Sequence, residues 1–274
     1  MPEYKPFNAH ELEVAILRIL AEGGVNCRLG RGFDGVVESI LKKWGVNDTW
    51  PKQRVAEAVC SVVSRGLLYV DFSVSHQRDS NKPISPEEWS IELTDRGRAA
   101  AGDTTANPDM PQGYLEQFVR DIPQAPDIVQ KYVKEALETY TQRCYMACAV
   151  MLGVAAEAAF LDVTRSFCRY LKPDEARKLL SWVNGTWRPY DQIREEFMRR
   201  LAPYRSSLPD PIKENLDIQV TAIFEIIRKY RNDAGHPTGF TMDRASCFLS
   251  LIAFAEAAKR LYALKDFFDS NADP

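Results

Sequence analysis

Histidine is scarce in this chain and charge of either sign is nearly balanced: three His, and 35 Lys and Arg against 38 Asp and Glu in 274 residues. The balance holds along its length, with 13 basic against 15 acidic residues in positions 1–105 and 22 against 23 in the remainder. Neither half can attract nucleic acid by its overall field, so any such binding needs a local patch. The N-terminus, Met1-Pro2-Glu3-Tyr4-Lys5, has no apolar signal core. The most apolar run, Met146 to Leu161, is interrupted by Glu157 and reads as too short to span a bilayer. These absences predict a cytoplasmic protein without a membrane segment. Internal repeats and low-complexity tracts are also lacking.

What cysteine there is, Cys27, Cys60, Cys144, Cys148, Cys168 and Cys247, is scattered through apolar segments of a chain large enough to hold a core without staples. That predicts buried, reduced thiols. Cys144 and Cys148 can share a helix face, but no His or carboxylate completes a tetrahedral set beside them, so no metal is expected. With 45% hydrophobic and 27% charged residues, the composition is that of ordinary globular material, sufficient for two modest domains.

In the first hundred residues, positions 10–22 place Leu12, Ile16, Ile19 and Leu20 on one helical stripe, ended by Gly23-Gly24. Gly30-Arg31-Gly32-Phe33-Asp34-Gly35 matches the dinucleotide-binding glycine pattern. The second parallel strand that this fold requires is missing, because the chain passes from a helix-like Val36 to Trp44 into another helix. No nucleotide cofactor is therefore expected. Asp48 or Thr49 can cap that next helix, Pro51 to Arg65. Its buried stripe is Val55, Val59, Val62 and Val63, with Lys52, Gln53, Arg54, Glu57 and Arg65 outside. Positions 67–74 and 89–93 read as two strands joined by a polar turn containing His76, and Thr94 starts a short helix. His76 and His10, the latter at a helix start, read as solvated.

This order of helices and hairpin, ending in Leu93-Thr94-Asp95-Arg96-Gly97, resembles a winged helix-turn-helix domain. The resemblance implies that Lys52, Gln53 and Arg54 on the second long helix face a nucleic acid, or that the domain docks a DNA or protein partner. Gly102 to Gly113, with its Asn-Pro and Met-Pro pairs, reads as the linker. The organisation is thus 1–105, a winged-helix-like domain; 106–125, linker; and 126–274, an up-and-down helical bundle. The fold class is mainly α. Helical periodicity covers Asp127 to Tyr140, Arg143 to Tyr170, Asp174 to Val183, Asp191 to Leu201, Ile212 to Tyr230 and Met242 to Phe268.

The chemistry falls on Arg231-Asn232-Asp233-Ala234-Gly235-His236. On a continuous helix, residues five apart point about 140° away from each other. Gly235 and Pro237 forbid a continuous helix, so His236 can turn back towards Arg231 and place an imidazole beside a guanidinium. That pairing suits phosphate chemistry. The same residues also admit a purely structural reading, in which Arg231 pairs with Glu157 or Asp233 and His236 binds a helix-end carbonyl.

Tyr145 to Leu152 followed by Glu157, together with Ile226 to Pro237, resembles the HEPN superfamily, in particular its bacterial branch grouped as the DUF4145 family. The resemblance spans about residues 127 to 268. It implies a metal-independent ribonuclease site in which Arg231, Asn232 and His236 occupy the catalytic positions, with Glu157 in support. It also implies an RNA substrate and a homodimer formed through the C-terminal bundle, in the setting of a prokaryotic defence or toxin system. Gly153 stands where the family often carries Arg, and Thr238 where nucleotidylated members carry Tyr. The alternative is a non-catalytic dimeric regulatory protein that binds DNA through its winged helix.

Overall fold

The chain folds mainly as helices, and the computed structural model describes residues 9–23, 52–71, 90–102, 107–185, 189–214, 216–226, 239 and 241–272. It divides into two units, Met1–Tyr114 and Leu115–Pro274.

In the first unit, helix α1 (Ala9–Glu22) buries Leu12, Ile16, Leu17 and Ile19. It stops at Gly23, whose φ of 72° is left-handed backbone that glycine adopts without a side-chain clash. Helix α2 (Lys52–Ser64) buries Val55, Val59 and Val62 against the same core. Strands β1 (Leu68–Asp71) and β2 (Ser90–Leu93) pair antiparallel, with Leu68 opposite Leu93 and Val70 opposite Ile91. Alternation along β2 turns Ile91 and Leu93 inward. Helix α3 (Asp95–Gly102) then begins under Thr94, whose hydroxyl accepts from the Gly97 N–H at 3.0 Å.

Arg65, expected on the outside of its helix, is buried. Its guanidinium lies 2.7 Å from the Glu13 carboxylate and donates to the Asp109 carbonyl at 2.8 Å. Asp109 in turn holds Arg96 at 2.6 Å. Arg65 follows the end of α2, where the helical phase that would have turned it outward no longer applies. A buried guanidinium persists only with such partners, because desolvation costs more than one exposed pair returns. His10 also differs from expectation: it is half-buried at the start of α1, with Nδ1 shielded from water.

The stretch read as linker, 106–125, contains helix α4 (Pro111–Asp121), with Tyr114, Phe118 and Ile122 buried. Prolines and polar residues hid it, although Pro111 stands at a helix start, where a missing N–H costs nothing. The division between units falls inside this helix.

Helix α5 (Asp127–Thr141) opens the body of the second unit and buries Val129, Val133, Ala136, Leu137 and Tyr140. The next helix was expected to start at Arg143, but that residue has a φ of 62° and closes α5 instead. The Cys144 N–H reaches back to the Thr139 carbonyl at 2.9 Å. Helix α6 (Tyr145–Tyr170) therefore starts two residues late. The whole helix, longer than the apolar run within it, is by length and composition long and apolar enough to cross a membrane. Many of its apolar residues, among them Leu152, Ala156, Phe160, Val163 and Phe167, are fully buried within the protein.

Helix α7 (Pro173–Asn184) and helix α8 (Tyr190–Leu201) follow, and a 3-10 segment, Ala202–Ser207, leads to a single turn, α9 (Asp210–Lys213). The helix expected from Ile212 starts at α10 (Leu216–Ile226), because Glu214 is extended, with φ −62° and ψ 126°. Helix α11 (Arg244–Asn271) closes the chain, capped by Asp243, which accepts from the Ser246 N–H at 2.7 Å.

Helices α6 and α11 run parallel. Cys247 reaches the Tyr145 carbonyl at 3.3 Å at one end, and Arg169 reaches Asp269 at 2.8 Å at the other. At that far end Phe167 meets Phe197, with ring centroids 4.9 Å apart, and Phe268 at 4.8 Å. The rings dominate there: a buried phenylalanine is worth about 2–3 kcal/mol, and an exposed ion pair at most about 1. Helix α4 lies along the same α11, with Phe118 stacked on Phe254 at 5.9 Å and Asp121 held by Lys259 at 2.7 Å. Of the cysteines, Cys148, Cys168 and Cys247 are buried as expected, whereas Cys60 and Cys144 are exposed. Cys27 lies outside the described residues.

A Cβ added at Gly97 would overlap the Leu67 carbonyl oxygen, a backbone atom that cannot step aside. Gly97→Ala should therefore destabilise the first unit by about 2–3 kcal/mol, read as a lower midpoint in urea by circular dichroism. Arg143 is exposed and left-handed, so Arg143→Gly should raise stability by about 0.5–1 kcal/mol in the same assay.

Candidate functional site

The residues assigned to chemistry from the sequence, Arg231, Asn232 and His236, lie outside the described residues, as does the glycine run Gly30 to Gly35. What the structure supplies is the frame around the first of these. Helix α10 leads towards the segment and α11 leaves it, and both pack against α6. The entry to α11 is pinned in three ways. Gly239 has a φ of 76°, Asp243 caps the helix, and the Arg244 guanidinium stands over the rings of Tyr140 at 5.8 Å and Phe248 at 5.6 Å. The chain thus re-enters the helical body where α5 ends and α6 begins.

Glu157 lies midway along α6, half-buried, and is not without a partner. Gly153, one turn earlier, is buried.

Sequence reasoning missed a second polar locus on the same two helices. Asp162 interrupts the apolar run of α6, and Tyr262 stands on α11 completely buried. Asp162 Oδ2 and the Tyr262 hydroxyl are both shielded from water without a hydrogen-bond partner among the described residues. Burial pushes the Asp162 carboxyl above the ordinary carboxylate range, against the pull of Lys265, Arg165 and Arg169. It pushes the Tyr262 phenol well up too, and the nearby Asp162 charge adds to the effect. The signal was present: a lone aspartate in an otherwise apolar helix needs an explanation as much as Glu157 does.

Among the arginines of α8, Arg199 and Arg200 are both committed to Glu196 at 2.7 Å, so they do not form an open cationic face. In the first unit Arg54 is exposed on α2, and Lys52 and Gln53 open the same helix. No group of three or more metal-ligating side chains occurs among the described residues. No family model, curated protein or solved structure matches the chain.

Glu196 carries a consequence for pH. The Arg199 and Arg200 guanidinium groups hold its carboxyl down to about 2, with burial opposing them. A folded-state value below the unfolded one means the stabilisation is complete above the unfolded carboxylate range, near pH 4–5, and is lost as pH falls towards 2. Glu196→Gln should cost about 1–2 kcal/mol at neutral pH, since exposed Arg199 is screened by water. Denaturant titrations at pH 7 and pH 2 should show most of that difference gone at the acid end.

Proposed function

We propose that this chain is a metal-independent endoribonuclease of HEPN type. The observation that supports the reading is the sequence Arg231-Asn232-Asp233-Ala234-Gly235-His236, carried between two helices that both pack on the helix bearing Glu157. In this mechanism His236 removes the proton from a ribose 2'-hydroxyl, or delivers one to the departing 5'-oxygen. Arg231 stabilises the charge that builds on the phosphate, and Asn232 orients the imidazole or a phosphate oxygen. One imidazole cannot act as acid and base in the same step. A homodimer formed through the helical bundle, with two motifs across one cleft, supplies the second. The products carry a cyclic phosphate, and no metal or cofactor takes part. Glu157 positions Arg231 rather than reacting, and the setting is a cytoplasmic defence or toxin system.

The second reading is a non-catalytic dimeric regulator. It is favoured by the first unit, where two helices, an antiparallel ribbon and a third helix form an arrangement suited to a winged helix, with Arg54 exposed. Lys52, Gln53 and Arg54 would then meet the nucleic-acid backbone or base edges, or the domain would dock a protein partner.

Purified protein incubated with single-stranded RNA in excess chelator separates the two. Cleavage should survive the chelator and fall by about 10²–10⁴-fold in His236→Ala, and comparably in Arg231→Ala, with the circular dichroism spectrum unchanged. Absence of cleavage across RNAs of varied sequence and structure, with a salt-dependent shift on duplex DNA lost in Arg54→Ala, would decide for the regulator.

A further inference from the structure

Two buried thiols meet where α6 and α11 begin. Cys148 is the fourth residue of α6 and Cys247 the fourth of α11, and both are shielded from solvent. The parallel alignment of these helices brings their first turns together: Cys247 Sγ lies 3.3 Å from the Tyr145 carbonyl oxygen, in the same turn of α6 as Cys148. The two thiols lie close enough for each to shift the acidity of the other. Of the other described cysteines, Cys60 and Cys144 are exposed and Cys168 is buried. Neither Cys148 nor Cys247 has a part in the ribonuclease mechanism.

We propose that Cys148 and Cys247 are a redox pair that closes to a reversible disulfide, joining the first turns of α6 and α11, with a peroxide as oxidant.

Within the pair the roles are unequal. Contact with Cys247 and burial hold the Cys148 thiol in its protonated form. The contact with Cys148 lowers the value of Cys247, against the opposition of burial and of Asp243. Its place in the first turn of α11 adds the favourable field of unpaired backbone N–H groups. Cys247 is therefore the attacking thiolate. Its sulfur displaces hydroxide from the peroxide O–O bond and becomes a sulfenic acid. Cys148 sulfur then attacks that sulfur, the S–S bond forms, and the departing hydroxide takes the Cys148 proton as water. Two thiols and one hydrogen peroxide give one disulfide and two waters, with two electrons passed from sulfur to oxygen. Hydrogen peroxide is small enough to reach a site closed to larger reagents. The bond would tie together everything between α6 and the entry of α11, and so restrict the unfolded chain strongly.

The test uses the full chain, treated with hydrogen peroxide, then unfolded in a thiol-alkylating reagent and mapped by mass spectrometry without reductant. The expected result is a linked pair of peptides containing Cys148 and Cys247, which dithiothreitol separates. A melting temperature roughly 5–10 °C above that of the reduced protein should accompany it. Cys247→Ser and Cys148→Ser should each abolish the rise. If either variant fails to fold, the map of the unaltered protein decides alone. Recovery of Cys148 and Cys247 in alkylated form while exposed Cys60 and Cys144 are oxidised overturns the proposal, as does a disulfide joining either of the pair to Cys144. The outcome is independent of whether the chain cleaves RNA.

Discussion

A helix as apolar as Tyr145–Tyr170 cannot be left in water, and the second unit is built to cover it. Its buried residues are spread around the helix rather than confined to one stripe, running from Cys148 and Ala149 to Phe167 and Cys168. Small residues at Ala149, Gly153, Ala156 and Ala159 let neighbouring backbones approach closely, while Phe160 and Phe167 fill the wider space near the far end. Helices α5, α7, α10 and α11 each take a share of this surface. The aromatic group of Phe160, Phe167, Phe197 and Phe268 closes the C-terminal end, and the ion pairs around Asp269 lie over it.

The same covering requirement fixes the alignment of α6 and α11. Because they lie parallel, residues about a hundred apart in the chain become neighbours repeatedly along their length: Tyr145 with Cys247, Phe167 with Phe268, and Arg169 with Asp269. One alignment thus creates three different chemical settings. The thiol pair stands at the start, half-buried Asp162 and buried Tyr262 follow further along, and charged residues emerge at the end. The chain enters α11 at the first of these.

The helices that were easiest to read carry a single apolar stripe with a clear stop. Helices α1, α5, α7 and α8 are of this kind, because a polar face and a buried face separate at helical spacing. Helix α4 escaped because Pro108, Pro111 and Gly113 looked like linker, although Tyr114, Phe118 and Ile122 keep the same spacing. The break at Glu214 was also missed, since apolar residues continue across it and periodicity alone does not register one extended residue. The catalytic reading of Arg231, Asn232 and His236 came wholly from the sequence and from family resemblance. The structure adds the helices on either side of them.

Local sequence determined most of the helices, the antiparallel strand pair and the capping at Thr94 and Asp243, because these depend on neighbours three or four residues away. It also determined that one long helix would need cover. Only the tertiary structure decided that Arg65 would be buried against Glu13, that Cys144 would face water while Cys148 faced Cys247, and that Asp162 would lie near Tyr262. Those outcomes depend on which distant segment arrives at a given surface, and spacing along a single helix carries no information about that.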